Sequence, residues 1–181
     1  MTLPDDTYMQ TKYDLRGRII KEIDQTGAST KYVYDNADRL ISVIDANESA
    51  WTYAYDEQGN IICVTDPNGN KTSYTFDKMN RLVSTTLAEG MSDKTVYDKY
   101  GNKVSYTDFN GKTTKYAYDK YYRLSTVTCA EGTTTKYTYS ESGLLSQVDF
   151  NGQVTKYEYN DLDGLKKKYL REALALDAIL R

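Results

Sequence analysis

Lys31-Tyr32-Val33-Tyr34-Asp35-Asn36-Ala37-Asp38-Arg39-Leu40-Ile41-Ser42-Val43-Ile44 reads as one β-hairpin. Tyr, Val and Ile suit a pleated, half-buried surface. Tyr32 and Tyr34 are two apart, so they share one face while Lys31 and Val33 take the other. Between the two runs, Asp35-Asn36-Ala37-Asp38 has turn chemistry, because an aspartate can bond its own downstream backbone. A second turn follows the return strand, and in other copies it reads Asp66-Pro67-Asn68-Gly69 or Asp108-Phe109-Asn110-Gly111, with Asn-Gly a strong hairpin signal.

The hairpin recurs. The dyad of an aromatic followed by Asp falls at Tyr13-Asp14, Tyr34-Asp35, Tyr55-Asp56, Phe76-Asp77, Tyr97-Asp98 and Tyr118-Asp119, then as Tyr139-Ser140, with a spacing of 21 residues throughout. A second aromatic stands two places earlier at Tyr32, Tyr53, Tyr74, Tyr116 and Tyr137, with Thr95 the exception. Glycine follows the dyad tyrosine by 14 residues at Gly27, Gly69, Gly90, Gly111 and Gly132, and Glu48 breaks that series. Alternate copies are more alike than neighbours (Ala88-Glu89-Gly90 with Ala130-Glu131-Gly132, Phe109-Asn110-Gly111 with Phe150-Asn151-Gly152), which implies duplication of a two-hairpin block. The expected fold is all-β: an antiparallel hairpin array of about seven units over residues 1–160, some fourteen strands at ~4.8 Å spacing, curving into a spiral because flat sheets of that width are uncommon. Stacking the units places Tyr32, Tyr53, Tyr74, Tyr116 and Tyr137 in one structural ladder and Tyr34, Tyr55, Phe76, Tyr97, Tyr118 and Tyr139 in a second.

Composition narrows the function. The 181 residues hold 19 Tyr, 3 Phe, 1 Trp and no His, so histidine-dependent triads and histidine-built zinc sites are excluded. A formal net charge of −3 gives no pull toward phosphate backbones, so nucleic acid is not an expected partner. No apolar run reaches the ~18 residues of a membrane span, and the N-terminal stretch has no signal-peptide pattern. Neither a cofactor nor a metal is expected. The aspartates of successive dyads lie about 10 Å apart by strand spacing, which suits turn capping better than calcium binding.

The pattern Tyr13-Asp14-Leu15-Arg16-Gly17-Arg18-Ile19, through Gly27 to Tyr32-Val33-Tyr34-Asp35, resembles the YD repeat, also called the RHS repeat, over residues 8–160. That family includes bacterial polymorphic toxins, wall-associated proteins, the C components of insecticidal toxin complexes and teneurins. The resemblance implies a β-sheet spiralling into a hollow shell, which encloses a C-terminal effector domain in the toxins and serves extracellular adhesion in teneurins. It also implies a secreted or cell-surface setting within a larger protein, a non-enzymatic scaffold, and carbohydrate as an alternative ligand. Seven units are fewer than a closed shell takes. Asp66-Pro67-Asn68-Gly69 has the look of the toxins' self-cleaving element, but it stands at the ordinary turn position and is read as a turn.

Trp51, Tyr100, Tyr106, Tyr121 and Tyr122 fall outside the ladders and are the candidate ligand-binding residues, with Trp51 standing where other units carry Thr72, Thr114 and Thr135. Cys63 and Cys129 lie three units apart, roughly 29 Å at the strand spacing, which is beyond disulfide reach. Over residues 161–181, Leu165, Tyr169, Ala173, Leu176 and Leu180 recur at helical spacing and predict one amphipathic helix. It is read as a cap on the sheet, with a dimerisation helix or the start of a further domain as alternatives, so self-association through sheet edges or this helix is also expected.

Overall fold

A computed structural model describes residues 9–141, 143–159 and 165–171. The chain divides into two compact units, residues 1–92 and 93–181. The first is one eight-stranded antiparallel meander: β1 (Gln10–Tyr13), β2 (Ile19–Ile23), β3 (Ser29–Tyr34), β4 (Leu40–Ile44), β5 (Ala50–Tyr55), β6 (Ile61–Thr65), β7 (Lys71–Phe76) and β8 (Leu82–Thr86), each paired with its sequence neighbour. The second is another: β9 (Lys94–Tyr97), β10 (Lys103–Thr107), β11 (Thr113–Tyr118), β12 (Leu124–Thr128), β13 (Thr134–Ser140), β14 (Gly143–Val148), β15 (Val154–Tyr159) and β16 (Leu165–Arg171). The all-β hairpin array is therefore as the periodicity predicts, arranged as two sheets.

The C-terminal expectation needs correcting. Leu165–Arg171 is the strand β16, paired with β15 from Tyr159↔Leu165 to Val154↔Arg171, and not the first turns of a helix. The physical reason is the edge that β15 offers, a row of backbone donors and acceptors that a following segment can satisfy. The signal was in the sequence: Tyr159-Asn160-Asp161-Leu162-Asp163-Gly164-Leu165 repeats the Tyr-to-Leu spacing of Tyr34 to Leu40. Residues 172–181, the rest of the expected helix, lie outside the described residues.

One turn design recurs at both ends of the hairpins. At Asp24 the backbone N–H bonds the Ala28 carbonyl at 2.9 Å and the Gly27 N–H returns to the Asp24 carbonyl at 3.0 Å. The Asp24 carboxylate meanwhile accepts from the N–H of Thr26 and of Ala28. The same pair of carboxylate bonds recurs at Asp35, Asp45, Asp66, Asp98, Asp108, Asp119 and Asp149. Asp66-Pro67-Asn68-Gly69 is one of these ordinary turns. The fourth residue of each turn adopts positive φ, which tightens a type I turn into a hairpin with a bulge. Glu48, at φ 60°, takes this conformation without being glycine, so the break in the glycine series does not break the turn.

At Gly69, φ is +86° and an added Cβ would meet nothing within 4 Å. The cost of a side chain there is conformational alone. Gly69→Ala is expected to destabilise the first unit by about 1–2 kcal/mol, read as a lower urea midpoint; an unchanged midpoint would show that the turn relaxes freely.

Register fixes two chemically distinct faces. Tyr32 lies opposite Val43, Val43 opposite Trp51, and Tyr53 opposite Val64, so these side chains share one face. The other carries Ser42, Thr52, Ala54, Cys63 and Ser73. None of the described residues is fully buried, so the described strands of each unit form a single layer with no packed core among them. Cys63 and Cys129 are free thiols.

Candidate functional site

The dyad explains itself through the hairpin next to it. The hydroxyl of Tyr55 donates to the Leu40 carbonyl at 2.7 Å, spanning from one hairpin to the previous one. Tyr34 does the same to Ile19 at 2.9 Å, Tyr118 to Lys103 at 2.8 Å and Tyr139 to Leu124 at 2.6 Å. What lies over the ring is a guanidinium of the preceding hairpin: Arg39 over Tyr55 at 4.7 Å, Arg18 over Tyr34 at 4.6 Å and Arg123 over Tyr139 at 4.5 Å. Each of these arginines also binds the carboxylate of its own turn (Arg39 to Asp35 at 2.7 Å), and Arg39 and Arg123 reach the next hairpin's backbone at Asp56 and Ser140. Tyr, Asp and Arg thus form a clasp between consecutive hairpins, with a cation over each of these three rings. Where the arginine is replaced, Asn60 and Asn102 bind Asp56 and Asp98 through their amides.

The electrostatics of the clasp lead away from acid–base chemistry. Burial first, with nearby carboxylates second or third, holds the Tyr55, Tyr118 and Tyr139 hydroxyls above the ordinary value of 10.0. Side-chain hydrogen bonds from Asn60 and Asn102 hold the Asp56 and Asp98 carboxyls below the ordinary 3.8. Both sets move away from neutrality, where a general acid or base works best. Among the described residues no group of three or more His, Cys, Asp or Glu could hold a metal ion, and no helix is long and apolar enough to cross a membrane.

The five out-of-ladder aromatics are divided between the two units. Trp51 lies in the first unit, on the tyrosine face of β5, and is 45% exposed. The other four lie in the second. Tyr106, on β10, lies opposite Thr95 and Thr114, on the face and at the place that Val43, Val64 and Val127 hold elsewhere. Its hydroxyl approaches Asp93 at 3.4 Å, and burial, ahead of the Asp93 charge, raises its pKa. Lys103, where other units carry Leu or Ile, sets its ammonium over Tyr106 at 5.4 Å and Tyr116 at 4.9 Å. Tyr100, Tyr121 and Tyr122 sit instead in two successive dyad turns, Asp98–Gly101 and Asp119–Tyr122, exposed by 60%, 62% and 53%. The rings of Tyr100 and Tyr122 meet at 4.8 Å with a 59° tilt. Lys99 rests on Tyr100, and Lys120 and Arg123 rest on Tyr121. The sequence reading named the tyrosines but not these cations, although each is adjacent or two places away in the chain.

The teneurin YD-shell family model matches residues 5–101, more than half of the chain, and the RHS repeat model matches residues 97–134. The chain belongs to the teneurin YD-shell family. No curated protein gave a significant sequence match. Among solved structures, the crystal structure of TcdB2-TccC3 without its hypervariable C-terminal region superposes with a TM-score of 0.70 at 18% identity, over 90% of this chain and 10% of that one. The TcdB2-TccC3-TEV structure gives 0.68 at 18% over the same shares, and TcdB2-TccC3 itself gives 0.55 at 16%, over 92% and 12%. At these identities the likeness is one of fold, and this YD-shell chain spans about a tenth of the length of the proteins it superposes on.

Proposed function

We propose that the chain is a non-catalytic wall segment: its two hairpin arrays form part of a curved YD-repeat shell of a secreted or cell-surface protein, enclosing or displaying an effector domain. The clasp carries this reading. The recurrent Tyr, Asp and Arg groups are occupied in joining one hairpin to the next, which leaves them a load of structure and no spare chemistry. That none of the described residues is fully buried supports it too, because a single layer suits a wall with contents on one side. Electron microscopy of the full-length protein that contains this chain tests the reading. A hollow particle with the hairpins in its wall is expected; a solid particle, or the hairpins projecting as a free arm, would overturn it.

Carbohydrate binding is the second reading, favoured by Trp51 half-exposed on the same face as Tyr32 and Tyr53. Saturable quenching of Trp51 fluorescence by a sugar panel is its expected result, and no response to any sugar would remove it.

A further inference from the structure

The turn holding Tyr122 departs from its sisters in a way that folding does not require. The fourth residue of the dyad turns is Gly17, Asp38, Gly59, Asn80 and Gly101, all residues that tolerate positive φ, and then Tyr122 at φ 62°. A bulky aromatic in that conformation is strained. Its ring is not used to cover a core, since Tyr122 remains 53% exposed and its one ring contact is to an equally exposed tyrosine. Strain retained at an exposed residue is a mark of use rather than of stability. Around it stand two further exposed tyrosines and the cations of Lys99, Lys120 and Arg123, with the two lysine ammoniums lying on ring faces and not on carboxylates. The turn carboxylates beneath, Asp98 and Asp119, have their oxygens occupied by backbone and side-chain N–H groups.

We propose that the Tyr100–Tyr121–Tyr122 turn cluster is a docking surface for an acidic polypeptide segment. Tyrosine and arginine are the residues that dominate protein interfaces, offering wide rigid area with little rotamer freedom to lose. The two ammoniums supply charge complementarity for carboxylates laid across the rings, and set the orientation and on-rate of the segment. Polypeptide is favoured over sugar here because the rings are tilted at 59° and already carry cations, so no flat tyrosine platform is left for a pyranose to stack on. This inference is separate from the wall reading and stands or falls on its own residues.

The probe is the random copolymer poly(Glu,Tyr), with chondroitin sulfate as a polyanion lacking peptide character. The chain is expected to bind the copolymer with a dissociation constant at least tenfold lower than for chondroitin sulfate. Tyr122→Gly should weaken that binding about tenfold while leaving the melting temperature unchanged or higher, because glycine relieves the turn. The double variant Lys99→Glu, Lys120→Glu should weaken it further and flatten its salt dependence. Equal affinity of Tyr122→Gly and the parent, a lower melting temperature in Tyr122→Gly, or preference for chondroitin sulfate would each overturn the proposal.

Discussion

Tyr55→Ala is expected to destabilise the first unit by about 2–3 kcal/mol, and Tyr55→Phe by about 1. The phenol is half-buried, and its truncation removes roughly half of what a fully buried ring contributes. Two further losses fall on the previous hairpin. The Leu40 carbonyl loses its 2.7 Å donor, and the Arg39 guanidinium loses the ring beneath it. Phenylalanine keeps the cation–ring contact and removes only the hydroxyl, so the difference between the two variants isolates the ring from the bond. Trp51 lies in the same unit and in the same strand, so its fluorescence follows this unfolding directly. Equal urea midpoints for the two variants would mean that the hydroxyl alone joins the hairpins, and a Tyr55→Ala midpoint matching the parent would mean that the clasp joins nothing.

The hairpins, their faces and their turns were legible because each rests on local chemistry. A period of two sets the faces, and an aspartate followed three places later by a residue tolerating positive φ sets the turn. The clasp was only half legible. The sequence shows that Tyr55 and Arg39 recur in phase, but stacking tyrosine on tyrosine is the simplest arrangement of a ladder. That a guanidinium lies over the ring follows from the β4–β5 register, in which Ser42 faces Thr52 and Arg39 comes level with Tyr55, and only coordinates reveal it. For Leu165–Arg171 two periodicities competed. Leu165, Tyr169, Ala173, Leu176 and Leu180 at three- and four-residue spacing read as a helix, whereas the free edge of β15, a non-local feature, favours the strand. Tyr106 is out of phase with the tyrosine rows because those run along the forward strand of each hairpin, while it belongs to the return strand and occupies the valine position there.

Acid should unfold the sheets from their turns. The carboxyls of Asp14, Asp24, Asp35, Asp56, Asp66, Asp77, Asp98 and Asp119 are all held below the ordinary value of 3.8. At Asp24, Asp56, Asp66, Asp77 and Asp98 the largest cause is a side-chain hydrogen bond, from Thr26, Asn60, Asn70, Arg81 and Asn102 in turn. At Asp35 it is the Arg39 backbone N–H. At Asp14 and Asp119 partial burial is the largest influence and acts upward, but the hydrogen bonds and charge of Arg18 and Arg123 together outweigh it. A carboxyl depressed in the folded state binds its proton more readily when unfolded, so its stabilisation is complete above 3.8 and is lost as pH falls through the lower folded value. Urea midpoints should therefore stay level from neutrality to about pH 5 and fall steeply below about pH 4, the turns of these aspartates drawing in the same direction. Neutral replacements such as Asp56→Asn and Asp98→Asn keep an acceptor for the backbone N–H groups and remove the titration, so a chain carrying both should lose less stability between pH 5 and pH 3 than the parent. Midpoints that stay level down to pH 3 would show that the turns hold without their charge, and the carboxylates would then be spacers of the hairpin rather than its fasteners.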